Sequence, residues 1–119
     1  MANIKPILPS LREKKRYVAF EVISESKKFS FSDVSKALWG SIISFFGELE
    51  FAKAGVILIA NTYNPEKMKG LIRVNNKYAN HLKASLALVS NVNEQQVIVR
   101  ALGVSGVVNK ALKKYVLCD

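Results

Sequence analysis

Ser105 and His81 are the residues of this chain that could most readily be taken for a hydrolytic nucleophile and its general base. Ser105 lies in residues 103–106, Gly-Val-Ser-Gly, which match the start of the nucleophile elbow G-x-S-x-G. The match fails at Val107, where the motif requires glycine. A general base would have to be His81, the chain's one histidine, which lies beside Leu82 on a predicted helix. We therefore predict that Ser105 caps a helix and that the chain has no catalytic residue.

Metal chemistry has no support in the spacing of ligand residues. The chain has one His and one Cys, Cys118, and its nine acidic residues are scattered, whereas zinc and calcium sites need clustered ligands. We predict no metal or cofactor site. A single cysteine cannot form an internal disulfide, which fits a reducing cytoplasm. No uncharged apolar run reaches the roughly 18 residues of a membrane span, and we expect neither a membrane segment nor a secretion signal.

The charge of the chain indicates the class of its partner. The 119 residues include 18 Lys and Arg against 9 Asp and Glu, a net charge of +9, which attracts phosphate-rich polymers. Four cations lie close together near the N-terminus, with Glu13 among them: Arg12, Lys14, Lys15 and Arg16. Such a run can follow a phosphate backbone, because Arg binds phosphate oxygens bidentately and Lys acts as a point charge. Nucleic acid is the leading partner class, and a solvated terminus is the alternative.

Hydrophobic periodicity predicts the elements that must position these residues. Residues 1–15 contain Pro6 and Pro9 and form a basic tail before a single domain, residues 16–119. Alternation and short apolar runs predict four strands: residues 17–24, 54–60, 70–74 and 96–102. Apolar stripes at helical spacing predict three helices, the first capped by Ser32: residues 32 to about 47 or a turn beyond, 75–89 and 107–116.

This order of elements is typical of an α/β sandwich (α+β class). We predict a four-stranded antiparallel sheet with a split βαβ core, ferredoxin-like or RRM-like, and an extra C-terminal helix. In that topology the first strand lies between the third and the fourth. Glu21 should therefore lie between Arg73 and Arg100, where the three side chains form an ion-paired triad or, alternatively, the two arginines contact RNA phosphates and Glu21 is incidental.

The sheet face opposite the first two helices has a mixed but mainly apolar character. Residues 69–74 echo the RNP1 consensus of RNA-recognition motifs, but Leu71 and Arg73 replace the aromatic residues that would stack bases. The face is too apolar to stay bare, so we expect the C-terminal helix or a protein partner to cover it. The residues that we expect at a partner interface share this face: Tyr17, Ile23, Leu71, Ile98 and Leu102.

Four segments of the chain together resemble one family. They are LPSLREKKRYVAFEVIS (8–24), ALWGSIISFFGELEFAKAG (37–55), GLIRVNNKYANHLKASLALV (70–89) and VIVRALGVSGVVNKALKKY (97–115). In this order, and over nearly the whole chain, they resemble the archaeal family of ribonuclease P protein component 2. None of the segments is a catalytic motif.

The resemblance implies a subunit of a ribonucleoprotein endonuclease that removes the 5′ leader of precursor tRNA. In that family the RNA holds the catalytic magnesium, and the protein supports cleavage with component 3, a barrel-shaped partner, in a particle that also contains components 1 and 4. Our RNA-binding candidates therefore include cations of the C-terminal helix, whose lysines could otherwise merely complement the helix dipole. The full set is Arg12, Lys14, Lys15, Arg16, Arg73, Lys77, Lys110, Lys113 and Lys114.

Two other functions stay open at this point. An acylphosphatase-like hydrolase needs an Arg-bearing phosphate loop, and residues 103–106 contain no Arg. A protein adaptor that binds no RNA would differ in its response to salt, because only phosphate contacts weaken steeply as ions compete. The sequence also leaves open whether the isolated chain forms a homodimer.

Overall fold

The computed structural model describes residues 14–25 and 28–116. Most of the predicted tail, with Arg12, and the C-terminal Cys118 lie outside the described residues. The strands are β1 (Lys15–Ile23), β2 (Ile57–Asn64), β3 (Lys69–Asn75), β4 (Asn91–Val92), β5 (Gln95–Gln96) and β6 (Ile98–Ser105). The helices are α1 (Phe31–Ala54), α2 (Ala79–Ala87) and α3 (Val108–Ala111), which continues as a π-helical turn over Leu112–Val116.

Four strands form an antiparallel sheet in the order β2-β3-β1-β6. The first strand therefore lies between the third and the last long strand, as the split βαβ topology requires. Lys15 pairs with Asn75 at one end of β1, and Ile23 pairs with Ile98 at the other end. The predicted α/β sandwich is confirmed.

Helices α1 and α2 cover one face of the sheet and enclose the main core. Alternate residues of β1 point into this core, which is the arrangement that period-two patterning predicts. Each large apolar side chain that it buries contributes about 1.5–3 kcal/mol. The buried residues at its centre are Val18, Phe20, Val22, Val34, Leu38, Ile42, Leu82 and Leu86.

The C-terminal helix α3 and its π-helical turn cover the opposite face. Ala19 and Leu71 of the sheet are buried against Ala111 and Val116 of this segment. The ring of Tyr115 lies so close to Gly103 that a side chain at that position would collide with it. The expectation that this face is covered is thus met by the chain's own helix, and the middle of the sheet is buried on both faces.

Helix α1 begins earlier and ends later than predicted. Ser30, not Ser32, is the N-cap, and its Oγ accepts a hydrogen bond from the Asp33 amide at 3.3 Å. At Gly47 the backbone leaves helical geometry, with φ of +79°, and the helix then resumes to Ala54. A glycine adopts this φ without a steric penalty, so the residue that was predicted to end the helix bends it instead.

Two further boundaries differ from the prediction. Residues 54–56 end α1 and form a turn, so β2 begins at Ile57, and Gly55 closes the helix at φ of +62°. A short hairpin, β4–β5, precedes β6 and was not predicted; Asn93 and Glu94 at its tip both have positive φ. No helix among residues 14–25 and 28–116 is long and apolar enough to cross a membrane.

The bend in α1 gives a direct test of the fold. Cβ atoms added at Gly40 and at Gly47 would both meet open space, so the two positions differ mainly in backbone conformation. We expect Gly47→Ala to lower the free energy of unfolding by about 1–3 kcal/mol, because alanine is strained at positive φ. The matched control Gly40→Ala should raise it by about 0.5–1 kcal/mol, because that position is helical. Urea unfolding measures both changes, and stabilisation by both variants would contradict the bend.

Candidate nucleic-acid interface

Several of the predicted cations meet where β1 begins and β3 ends. The backbone amide of Asn76 donates to the carbonyl of Lys14 at 2.7 Å, and Lys15 pairs with Asn75 across the sheet. The Arg16 guanidinium lies near Gly106, in the turn between β6 and α3. Lys77 is exposed on the 3₁₀ turn Asn76–Tyr78 that follows β3. We call this part of the molecule, with Lys14, Lys15, Arg16, Lys53, Arg73 and Lys77, the basic end.

A buried asparagine joins three elements at the basic end. The side chain of Asn75 is 5% exposed, and its Nδ2 donates to the backbone carbonyl of Lys53 at 2.8 Å. Its Oδ1 accepts a hydrogen bond from the Lys15 ammonium. Gly55 is the residue that allows Asn75 to lie so close, because a Cβ there would be 3.1 Å from Oδ1. Asn75 thereby holds the end of α1 against the start of β1.

Lys53 is a cation of the basic end that the sequence did not reveal. It lies in the last turn of α1, and its ammonium is 3.9 Å from the Glu50 carboxylate. More than half of its side chain is exposed, so this ion pair contributes little stability and leaves the charge accessible. The only signal in the sequence was a lysine near the end of a helix, which is too common to indicate a site.

Arg73 lies on the face covered by α3, next to Tyr17 on β1 and Ile57 on β2. Its Nε is buried and has no hydrogen-bond partner among the described residues. A buried donor without an acceptor costs about 1–3 kcal/mol, more when it is charged. Because this atom is buried on the face that α3 covers, a phosphate oxygen cannot reach the Nε while the helix is in place.

The expected triad of Glu21 with two arginines is half wrong. The Arg100 Nε does donate to the Glu21 carboxylate, at 2.9 Å. Glu21 pairs with Lys69 on β3, however, and Arg73 pairs with Tyr17. Strand order was predicted correctly, but the register that connects β1 to β3 places Arg73 farther along the strand than the sequence argument assumed.

The cations of the C-terminal helix form a separate group. Lys110, Lys113 and Lys114 are all exposed on the outer side of the layer that covers the sheet. The Lys114 ammonium lies 5.4 Å from the centre of the Tyr115 ring, within range of a cation–π interaction. These lysines belong to a different layer from the sheet end that carries Lys14 and Lys15.

The expected partner interface is divided by α3. Leu71 is 1% exposed, and Tyr17 and Leu102 pack against the same helix, so these three residues face the chain's own C-terminal segment. A partner cannot contact Leu71 while α3 is in place. Ile23 and Ile98 remain accessible, 42% and 63% exposed, and they pair with each other at the end of the sheet opposite the basic end.

The two candidate catalytic side chains are engaged in local contacts. The Ser105 hydroxyl accepts from the Val107 amide and donates to the Val107 carbonyl, both at 3.1 Å. Ser105 is therefore not the N-cap of α3 that was predicted; Val107 occupies that position without a side-chain cap. His81 packs its ring against Phe46 and Tyr78. Among residues 14–25 and 28–116, no three His, Cys, Asp or Glu side chains are grouped as metal ligands.

These features define a small α/β sandwich with a cationic sheet end and a helix across its second face. Residues 16–116 match the model of the Rpp14/Pop5 family, and the chain belongs to this family. The family resemblance noted in the sequence is thereby confirmed.

Several archaeal proteins named ribonuclease P protein component 2 are similar to this chain. Ribonuclease P protein component 2 of Pyrococcus abyssi is 35% identical over 113 residues, which cover 95% of this chain and 93% of the relative. The protein of that name in Archaeoglobus fulgidus is 37% identical and covers 94% and 97% of the two chains. In Methanosarcina mazei the identity is 36%, over 94% and 92%.

A solved structure shares the fold. A chain in the cryo-EM structure of yeast ribonuclease MRP superimposes with a TM-score of 0.62, covering 80% of this chain and 76% of that one. Its sequence identity is 12%, so this likeness concerns the fold alone.

The Glu21–Arg100 pair predicts a small effect on stability. Arg100 is 61% exposed and Glu21 19%, so the pair is largely solvated on one side. Glu21→Gln should lower the free energy of unfolding by less than about 1 kcal/mol, because exposed ion pairs contribute little. A decrease of roughly 3–5 kcal/mol, the cost of breaking a buried pair, would contradict this geometry. Urea unfolding of the variant beside the wild-type chain makes the measurement.

Proposed function

We propose that this chain is a protein subunit of ribonuclease P, the ribonucleoprotein endonuclease that removes the 5′ leader of precursor tRNA. The observation that carries the proposal is the match to archaeal relatives named ribonuclease P protein component 2 over almost the full length of both chains. The net charge of +9 supports a partner rich in phosphate. The cytoplasm is the compartment that we propose.

The chain's own contribution is to bind the catalytic RNA through the basic end. Asn75 lies at the centre of four cations of the basic end, Lys14, Lys15, Lys53 and Lys77. Its hydrogen bonds to Lys15 and to the backbone of Lys53, with that of Asn76 to Lys14, hold the surrounding backbone in place. Phosphate contacts of this kind set the position and orientation of a protein on RNA without reading its sequence.

The chemistry of cleavage belongs to the RNA in this proposal. The Ser105 hydroxyl is occupied by backbone hydrogen bonds and the His81 ring by aromatic neighbours, which supports a chain that assists the reaction without performing it. Magnesium would be held by the RNA. The protein then acts by positioning RNA groups, and such positioning lowers a barrier without a protein nucleophile.

Component 3 is the protein partner that we assign to the far end of the sheet. Ile23 and Ile98 form an exposed apolar pair there, and such patches mark interaction sites. Components 1 and 4 would join the same particle. Binding of component 3 at this end would leave the basic end free for RNA.

Reconstitution of precursor tRNA cleavage tests the proposed function. The RNA and component 3 are assayed with and without this chain at fixed magnesium, and we expect the chain to raise the cleavage rate. The chain alone, freed of trace nucleases, should give no cleavage. Equal rates with and without the chain, or turnover by the protein in the absence of RNA, would contradict the proposal.

Salt dependence tests the first cations of the basic end together with Arg12, which precedes them in the sequence. Neutralising Arg12, Lys14, Lys15 and Arg16 together to Gln should weaken RNA binding and flatten the plot of log affinity against log salt. The slope should fall by about 0.7–0.9 for every phosphate that the variant no longer binds. A matched control neutralises four cations toward the other end of the sheet: Lys28, Lys36, Lys67 and Lys69.

The control variant removes the same total charge, so it separates local contacts from the general field of the protein. Equal slopes in the two variants would show that the N-terminal run is a solvated segment. An adaptor that meets no RNA is the remaining alternative, and for it RNA affinity would be absent in the wild-type chain while binding to component 3 responded little to salt.

A further inference from the structure

Four aromatic side chains form a cluster between α1 and α2, and one of them, Tyr78, follows Lys77 of the basic end. Phe46 of α1, Tyr78 of the 3₁₀ turn and His81 of α2 are in mutual contact, with ring centres 5.6–6.2 Å apart. Phe45 adjoins Phe46 with ring centres 6.0 Å apart. We call Phe45, Phe46, Tyr78 and His81 the ring cluster.

The ring cluster is half supported by the core and half open to solvent. Phe46 and Tyr78 are partly buried against the main core, whereas Phe45 is 43% exposed and His81 is exposed. The Tyr78 hydroxyl donates to the Glu50 carboxylate at 2.7 Å, which fixes the orientation of its ring. The exposed rings of Phe45 and His81 therefore pack against rings that the core holds in place.

The backbone that carries the ring cluster is tied directly to the cations of the basic end. Asn76, two residues before Tyr78, donates to the Lys14 carbonyl, and Asn75 binds both Lys15 and the backbone of Lys53. Two acidic residues, Glu48 and Glu50, also lie on this stretch of α1. Glu50 lies 3.9 Å from the Lys53 ammonium, which offsets its charge, and Lys14, Lys15 and Lys77 are further cations of the basic end.

The open face of the sheet is not available for stacking RNA bases. Proteins of RRM-like fold stack RNA bases on aromatic residues of the open sheet face. Here α3 covers that face, and Leu71 and Arg73 stand where rings would be needed. Any stacking of bases on the described part of this chain must therefore use another surface. The ring cluster is partly exposed, and Tyr78 follows Lys77, one of the cations that we propose bind phosphate.

We propose that the ring cluster binds unpaired nucleobases of an RNA strand whose phosphates lie along the basic end. This inference rests on the proposed function and adds to it a class of RNA target, single-stranded segments instead of duplex. Every base has a π face, so stacking on Phe45 and His81 would tolerate many sequences. The neighbouring lysines would hold the backbone in place while the bases stack.

The test uses a double variant that removes the exposed rings but keeps apolar surface, Phe45→Leu with His81→Leu. The full chain is titrated with a single-stranded uridine RNA and with a fully paired RNA hairpin. We expect the double variant to bind the single strand at least about tenfold more weakly, as the absence of base stacking requires. Its salt slope and its affinity for the hairpin should not change.

Leu49→Ala is the matched control, because Leu49 is 68% exposed on the same helix and carries no ring. It should leave both affinities unchanged. Both sites are at the surface, and equal urea midpoints for all variants establish that the fold is retained. A double variant that binds the single strand as well as the wild-type chain overturns the inference.

Two further outcomes are distinguishable. If the double variant binds RNA normally but no longer retains a protein subunit of the reconstituted particle, the ring cluster is a protein interface and the inference is wrong, while the proposed function stands. If the wild-type chain binds neither RNA probe, the proposed function itself is contradicted, and the inference is contradicted with it.

Discussion

The pairing of β1 with its two neighbours is the constraint on which the rest of the structure depends. Val18, Phe20 and Val22 face one core, and Ala19 between them faces the other, so β1 is buried on both sides. A slip of one residue would exchange these faces and expose the apolar set. The same register places Lys15 opposite Asn75, and with it the N-terminal cations beside the end of β3.

Packing and charge are thus separated along a single strand. The middle of β1 supplies buried apolar surface, its first residues supply charge, and its last residue, Ile23, supplies an exposed apolar contact. From Lys15 to Ile23 the strand spans about 26 Å, at roughly 3.3 Å per residue. The surface that we propose for RNA and the surface that we propose for component 3 therefore lie at opposite ends of the strand and do not overlap.

The sequence allowed the topology to be predicted because the burial pattern of each strand is local. The period of two in β1 and the amphipathic pattern of α2 are visible in windows of a few residues. The register between neighbouring strands could not be predicted in this way. β1 and β3 are joined through α1 and β2, so no tight turn fixes how far one strand is shifted along the other, and their observed register pairs Glu21 with Lys69. For that reason Glu21 was correctly paired with Arg100 and wrongly with Arg73.

In the candidate site, too, the residues that a short stretch of sequence reveals were predicted, and the contacts between distant residues were not. Lys14, Lys15, Arg16 and Lys77 were recognisable from the density of charge and their place on predicted polar surfaces. Lys53 joins them because the Asn75 side-chain amide donates to its backbone carbonyl. Phe46 contacts Tyr78 and His81 because α1 packs on α2. Both are contacts between residues distant in sequence. The bend at Gly47 also has no local signature, because a glycine at that place is equally compatible with the end of a helix.

The central claim is that the basic end is the surface that RNA occupies. Lysine footprinting tests it within one molecule: the chain is acetylated with and without ribonuclease P RNA, and the modification of each lysine is measured by mass spectrometry. The account predicts protection of Lys14, Lys15, Lys53 and Lys77, with Lys28 and Lys36, toward the other end, modified as in the free chain. Protection of Lys28 and Lys36 with the basic end left reactive would contradict it.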